Sequence, residues 1–300
     1  MQFGIQLSGL GARHYPEVAA VAEQHGFTAL WMPEHLIFPV EMPPQYSYTE
    51  DGYPPMNSQV PTFDPWVVLG AVASRTETIR LGTGVFILPL RHPIKAARSV
   101  ITLDRMSGGR VLFGIGVGWM QDEFDIVGEN FANRGRRTDE MIELIRRLWT
   151  DEVIEFHGDF YDIPPVHFQP KPVKGHDGIP IVIGGTSAGA LKRAGHLGDG
   201  WIHHRQIRSG DAADWLDDDF AELESHITTI LRHREDAGRT GPFEIVAGLG
   251  NDIETIRRAE DLGVTMYTVG PQVPGLRGTK DQFIEWIEQF GAETIHAVSS

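Results

Sequence analysis

The stretch Leu81–Trp119, LGTGVFILPLRHPIKAARSVITLDRMSGGRVLFGIGVGW, decides how the chain is read. It runs strand, loop, helix, turn, strand. Ile79–Leu88 is β-branched and apolar on both faces, as a strand buried on both sides of a parallel sheet requires. Pro89 and Pro93 end it. His92–Met106 then places Ile94, Ala97, Ile101 and Leu103 at helical spacing before Ser107-Gly108-Gly109 stops the helix. Val111–Val117 is a second buried strand, so the unit is β-α-β with a right-handed crossover. Gly84 in the first strand and Gly114, Gly116 and Gly118 in the second stand where strands avoid glycine. A flat ligand lying across the C-terminal ends of the two strands accounts for both sets.

The same alternation continues on either side. Upstream, Phe3–Leu7 is a strand, Tyr15–His25 a helix with Pro16 in its first turn and Gly26 at its end, and Thr28–Met32 a second strand. Leu36–Phe63 follows, with six prolines, three tyrosines and no helical period; a segment this long reads as a lid over a site, or as a plain surface excursion. Asp64–Ser74 is a helix with Asp64 as N-cap. Downstream, Arg137–Trp149 is an amphipathic helix and Val153–Phe168 a hairpin. Strands at Ile179–Ile183, Gly200–His203, Phe243–Gly248 and Thr265–Val269 alternate with helices at Ala188–His196, Ala213–Ala237, Asp252–Leu262 and Lys280–Ala297.

Eight short buried strands, each followed by a helix, predict one (β/α)8 barrel over residues 1–300, with a lid insertion after strand two and a hairpin insertion before strand five. The rival is a doubly wound dinucleotide-binding sheet. Its glycine fingerprint fails here, because the third glycine of GxGxxG falls on Trp119 or Gln121.

The chain has 300 residues, 41% of them hydrophobic, and a net charge of −15 with no run of Lys or Arg, so nucleic acid and anionic membranes are not expected partners. The start lacks a basic segment followed by an apolar one, and no apolar run reaches the roughly 18 residues of a membrane span. A cytoplasmic protein acting on a small molecule is the expectation. With no cysteine, thiolate metal sites and cysteine nucleophiles are excluded; HExxH is absent too, so no metal is predicted.

In a barrel the reactive groups lie where strands end. That rule selects Glu34 and His35 after strand two, Gly84, Val85 and Leu88 in strand three, and Gly116, Gly118 and Trp119 after strand four, and Thr83 joins Gly84 and Val85 as a cofactor-binding candidate. It also selects Gly184, Gly185, Thr186 and Ser187 after strand five, and His203 and His204 after strand six. His35 is the candidate acid or base with Glu34 beside it. Trp119 can plate a ring system or fill the core. Gly184–Ser187 aims backbone N–H groups and a helix dipole outward, which suits a phosphate, or equally an ordinary helix cap.

Taken together, WMPEH, LGTGVFILPLRHP, LDRMSGGRVLFGIGVGW with Asp122-Glu123-Phe124, RGRRTDEMIELIRRLWT, EFHGDFY, PKPV and PIVIGGTSAGALKRAGHLGDGW resemble the luciferase-like monooxygenase superfamily, over roughly residues 1–205. The resemblance is nearest to its deazaflavin (coenzyme F-420) dependent oxidoreductases. It implies a non-prolyl cis peptide at Gly84–Val85 behind the deazaflavin ring. It further implies Glu34-His35 at the ring edge and reacting centre, ring and ribityl contacts at the GIGVGW glycines, and phosphate contacts at Gly184–Ser187. Coenzyme F-420 is thus the implied cofactor, FMN the alternative, and hydride transfer to or from an organic substrate the implied activity. Reduced-FMN monooxygenation is the alternative activity, followed by flavin binding without turnover. Members are commonly homodimers. Where sugar-oxidising relatives carry a carboxylate after the strand-four glycines, this chain has Trp119. The basic residue that bacterial luciferases place within that glycine stretch is missing from Gly116-Val117-Gly118.

Overall fold

Gln2–Gln6 (β1) sets the pattern that every barrel strand repeats. Phe3 and Ile5 point outward into the apolar layer under the helices, whereas a side chain at Gly4 would run into the Trp31 indole inside the barrel. The computed structural model describes residues 1–175, 178–205, 217–271 and 278–299. In chain order β1 is followed by α1 (Tyr15–Gln24), β2 (Ala29–Met32), α2 (Pro65–Ala73), β3 (Arg80–Thr83), β4 (Phe86–Ile87), α3 (Pro93–Ser107) and β5 (Val111–Gly116). Then come α4 (Gln121–Val127), α5 (Arg134–Thr150), β6 (Ile154–His157), β7 (Asp162–Val166), β8 (Ile181–Gly184), α6 (Ala188–Leu197) and β9 (Gly200–Ile202). The remainder is α7 (Asp217–Asp236), β10 (Glu244–Ala247), α8 (Ile253–Asp261), β11 (Met266–Val269), α9 (Lys280–Phe290) and α10 (His296–Ser299).

All barrel strands are parallel, in the order β3-β2-β1-β11-β10-β9-β8-β5-β4, and a β3–β5 pairing closes the ring. The expected eight-stave (β/α)8 barrel is therefore present, and β6 and β7 form the expected antiparallel hairpin outside it. The expected strand Ile79–Leu88 is one stave in two pieces. β3 pairs with β5 through Leu81 and Val111, and β4 through Phe86 and Ile115, with a cis peptide at Gly84–Val85 between them.

Two apolar layers result. Inside the barrel, Ala29, Trp31, Leu112, Val182, Ile202, Val246 and Met266 form a small cluster with Val85 against it. Outside, Leu30, Phe113, Ile181, Trp201 and Tyr267 join the large layer beneath the helices. Each such fully buried side chain contributes about 1.5–3 kcal/mol. Alternation between these layers keeps nearly every strand residue from water, which is why the strands read as continuous apolar runs.

Local signals fix most helix ends. Asp64 accepts the N–H groups of Trp66 and Val67 to start α2, His92 accepts that of Ile94 at 3.2 Å to start α3, and Gly108 ends α3 at φ 71°. Helix α5 begins three residues before the expected Arg137, and α4 was not expected at all, because seven residues are too few to show a helical period. The first residues of the expected helix Ala213–Ala237 lie outside the described residues; from Asp217 to Asp236 it is helical. Residues 33–64 contain no helix and no regular strand, as the lid reading requires.

Candidate active site at the C-terminal mouth of the barrel

β2 ends at Met32 and hands the chain to Pro33, Glu34 and His35. The two side chains take different partners. Glu34 is 6% exposed; its Oε2 accepts the Ile87 N–H at 2.9 Å and an Arg91 N–H at 3.0 Å, and its Oε1 lies 2.9 Å from the other Arg91 nitrogen. Burial pushes its carboxyl above the usual carboxylate range, while Arg91 and the Ile87 N–H pull it back. This carboxylate thus fastens the end of β2 to β4, the piece of strand three beyond the cis bond.

His35 is held by a different acid. Its Nδ1 lies 3.1 Å from Oε2 of Glu123 on α4, and the other oxygen of Glu123 accepts the Leu36 N–H at 2.6 Å. The Glu123 side chain is only 1% exposed, the imidazole 13%. Of the two roles expected for Glu34, holding His35 or the ring, the first is not seen: Glu34 is turned to Arg91, and the acid beside His35 is Glu123. Neither Arg91 nor Glu123 stood out in the sequence. An acidic residue one turn into a helix reads as a complement to the helix dipole, which hides this one.

Trp119 packs edge-on to His35 at 5.9 Å and to Tyr46 at 5.0 Å. Tyr46 in turn lies 5.4 Å from Tyr48, and Tyr48 lies 5.5 Å from His204. The Leu36–Phe63 segment therefore lies over the ends of β2, β5, β8 and β9. At the end of β8 burial raises the pKa of the Tyr48 hydroxyl, and the neighbouring Thr186 pulls it back. Ser187 caps α6 by accepting the Ala190 N–H at 3.2 Å, so its oxygen does the work of an ordinary cap. Gly185 has φ 113°, and its carbonyl accepts the Trp201 indole N–H at 2.8 Å.

The strand-end glycines have neighbours in the chain itself. A Cβ at Gly114 would lie 1.8 Å from the Thr83 carbonyl oxygen, and at Gly116 and Gly184 about 2.6 and 2.5 Å from the Val85 side chain. These three make room for the Thr83–Val85 bulge. Gly118 is squeezed between Ile87 and Phe124 at φ 80°. Only at Gly84 would a Cβ meet ordinary contact, 3.5 Å from Trp31.

Gly84 and Trp31 line a cavity of about 960 Å3 whose other walls include Gln6, Ser8, Ile202, His204 and Val246. Its size suits a cofactor, since ligand pockets run to about 300–1,000 Å3. Burial pushes His204 down to about 4 and His203 down to about 3, so both are neutral at pH 7. Among the described residues no group of three or more His, Cys, Asp or Glu could hold a metal ion, and no helix is long and apolar enough to cross a membrane.

Residues 2–226 match the family model for luciferase-like monooxygenases. The chain belongs to that family. The uncharacterized protein Rv0940c of Mycobacterium tuberculosis is 36% identical over 266 residues, 88% of this chain and 87% of its own. An F420-dependent glucose-6-phosphate dehydrogenase of Nakamurella multipartita is 31% identical over 207 residues, 67% of this chain and 56% of that one. The crystal structure of the monooxygenase RslO1 from Streptomyces bottropensis superposes with a TM-score of 0.75 at 18% identity, covering 99% of both chains, which shows the shared fold.

Proposed function

We propose that this chain is a coenzyme F-420-dependent oxidoreductase that moves a hydride between the coenzyme and a small organic substrate, with His35 exchanging the accompanying proton. The observation that carries this reading is the His35–Glu123 pair, set beside a cavity floored by Gly84 and Trp31 at the barrel mouth. Sequence similarity to an F420-dependent dehydrogenase supports the choice of coenzyme.

The residues present fit the group. The cavity has the volume for a three-ring system, and the absence of a side chain at Gly84 leaves that part of its floor open beside Trp31. Gly84, Val85 and Trp31 would support the ring, and Thr186, one residue before the α6 N-cap Ser187, would meet a phosphate. The Tyr48 hydroxyl lies beside Thr186, so a phosphate oxygen would compete with it or join it there. When bound, the deazaflavin supplies the hydride chemistry, and the protein supplies position and proton transfer.

Glu123 fixes the chemistry of His35. A carboxylate at Nδ1 selects the tautomer with its N–H on that nitrogen and leaves the Nε2 lone pair free. Nε2 can then accept the proton of an alcohol O–H as its carbon loses hydride, or return a proton to a carbonyl oxygen in reverse. Trp119 and Phe38, 5.9 and 4.7 Å from the imidazole, limit its rotation, and the Leu36–Phe63 segment shields it from water.

Titrating the purified protein with coenzyme F-420 and with FMN, followed by fluorescence, tests the reading. Binding of the deazaflavin at least about tenfold tighter than FMN is the expected result. Tighter FMN binding with substrate-dependent oxygen consumption would move the chain to the family's flavin monooxygenases.

A further inference from the structure

We infer that the substrate is a compact, uncharged carbonyl compound with an apolar body, or the matching alcohol, seated between the end of β2 and the Leu36–Phe63 segment. This rests on the F-420 reading above and deepens it. The evidence is a second cavity of about 160 Å3, walled by Met32, Pro33, Phe38, Met56, Val60 and Phe63. Its polar side chains are Tyr15, Glu34, Thr62 and His35, with Gln6 and Ser8. Those last two also line the larger cavity, so the two spaces adjoin, and the smaller is the one that touches the imidazole.

Size and charge together set the class. A cavity of about 150 Å3 with apolar walls holds benzene, so this one takes a body of about six to eight carbons. Among the described residues no lysine or arginine lines it. Near its polar end Arg91 is already taken by Glu34, and Glu123 is engaged with His35, so an incoming phosphate or carboxylate would find no cation left to pair with it. In the reductive direction the carbonyl carbon gains a hydride from reduced coenzyme F-420 and the carbonyl oxygen gains the proton held at Nε2 of His35. The products are the alcohol and the oxidised coenzyme, and solvent reprotonates the imidazole.

Two measurements on the full chain test this. In the first, turnover with reduced F-420 is compared for benzaldehyde, cyclohexanone, 2-naphthaldehyde, pyruvate and 6-phosphogluconolactone. The expected kcat/KM for benzaldehyde and cyclohexanone exceeds that for the charged compounds by at least about 100-fold. In the second, binding of benzyl alcohol to the coenzyme-free protein is followed by ligand-observed NMR. Val60→Phe, which fills the pocket, should weaken that binding and lower kcat/KM for benzaldehyde by about tenfold or more while leaving coenzyme affinity unchanged. If Val60→Phe lowers the melting temperature sharply, Met56→Ala replaces it and should shift preference about tenfold toward 2-naphthaldehyde. Turnover confined to pyruvate or the phosphorylated lactone, or no turnover of any compound by protein that binds the coenzyme, overturns the inference. So does benzyl alcohol binding that neither variant alters. Failure to bind coenzyme F-420, with benzyl alcohol still held and still sensitive to Val60→Phe, would defeat the functional reading and leave the pocket assignment standing.

Discussion

The Nδ1 of His35 and the Oε2 of Glu123 lie 3.1 Å apart although 88 positions separate them in the chain. Glu123, which follows β5, thus orients the imidazole that follows β2, and it does so from a position only 1% exposed. A charge-assisted hydrogen bond so far from solvent holds one tautomer. His35→Ala should lower kcat by about 10²–10⁴-fold and leave coenzyme affinity within about threefold. Glu123→Gln keeps the shape and removes the charge, and should cost about 10–100-fold in kcat, as for partners that orient metal-bound imidazoles. Stopped-flow hydride transfer and a coenzyme titration separate the two quantities; equal losses in both would remove the acid–base role.

The glycines at the strand ends divide into two kinds. Gly114→Ala would set a Cβ 1.8 Å from the Thr83 carbonyl, and overpacking of this kind costs about 1–3 kcal/mol or more. Gly84→Ala meets only Trp31 at 3.5 Å and should change stability by less than about 1 kcal/mol, yet weaken coenzyme binding about tenfold by filling the cavity floor. Melting curves with and without coenzyme give both numbers.

Arg91 carries the burden of the Glu34 charge and also lies 3.9 Å over the Phe86 ring. Arg91→Met leaves a carboxylate buried without its cation, which costs about 3–5 kcal/mol in comparable pairs. The double variant with Glu34→Gln should recover most of that loss. Urea unfolding of the single and double variants is the check; a single variant as stable as the parent would show that the pair carries no weight.

Burial holds His203 down to about 3 and His204 down to about 4 in the folded chain. In the unfolded chain both titrate near about 6.5, so between these values the unfolded state binds more protons. Their contribution is complete above about pH 6.5 and is lost as the pH falls toward 4, by up to about 1.4 kcal/mol per unit for each histidine. The His203→Gln, His204→Gln double variant should show a shallower fall in melting temperature from pH 6.5 to 5, above the range where most carboxylates titrate.

By itself the sequence determined the barrel, the lid and the hairpin, because each rests on local patterns: two-faced apolar strands, helical periods between them, caps such as Asp64 and Ser187, and a proline-rich span after strand two. It also brought His35 and the strand-end glycines to the mouth, since that follows from barrel geometry alone. Only the tertiary structure decided which carboxylate serves which partner. Glu34 is next to His35 in sequence, but neighbouring residues past a strand end point apart, and the imidazole meets an acid from another stave. The glycines of β5 and β8 likewise took their meaning from Thr83, at the end of β3, and Val85, between β3 and β4. Periodicity is a property of one segment, whereas pairing across the mouth depends on distances that exist only once β3 and β5 close the ring.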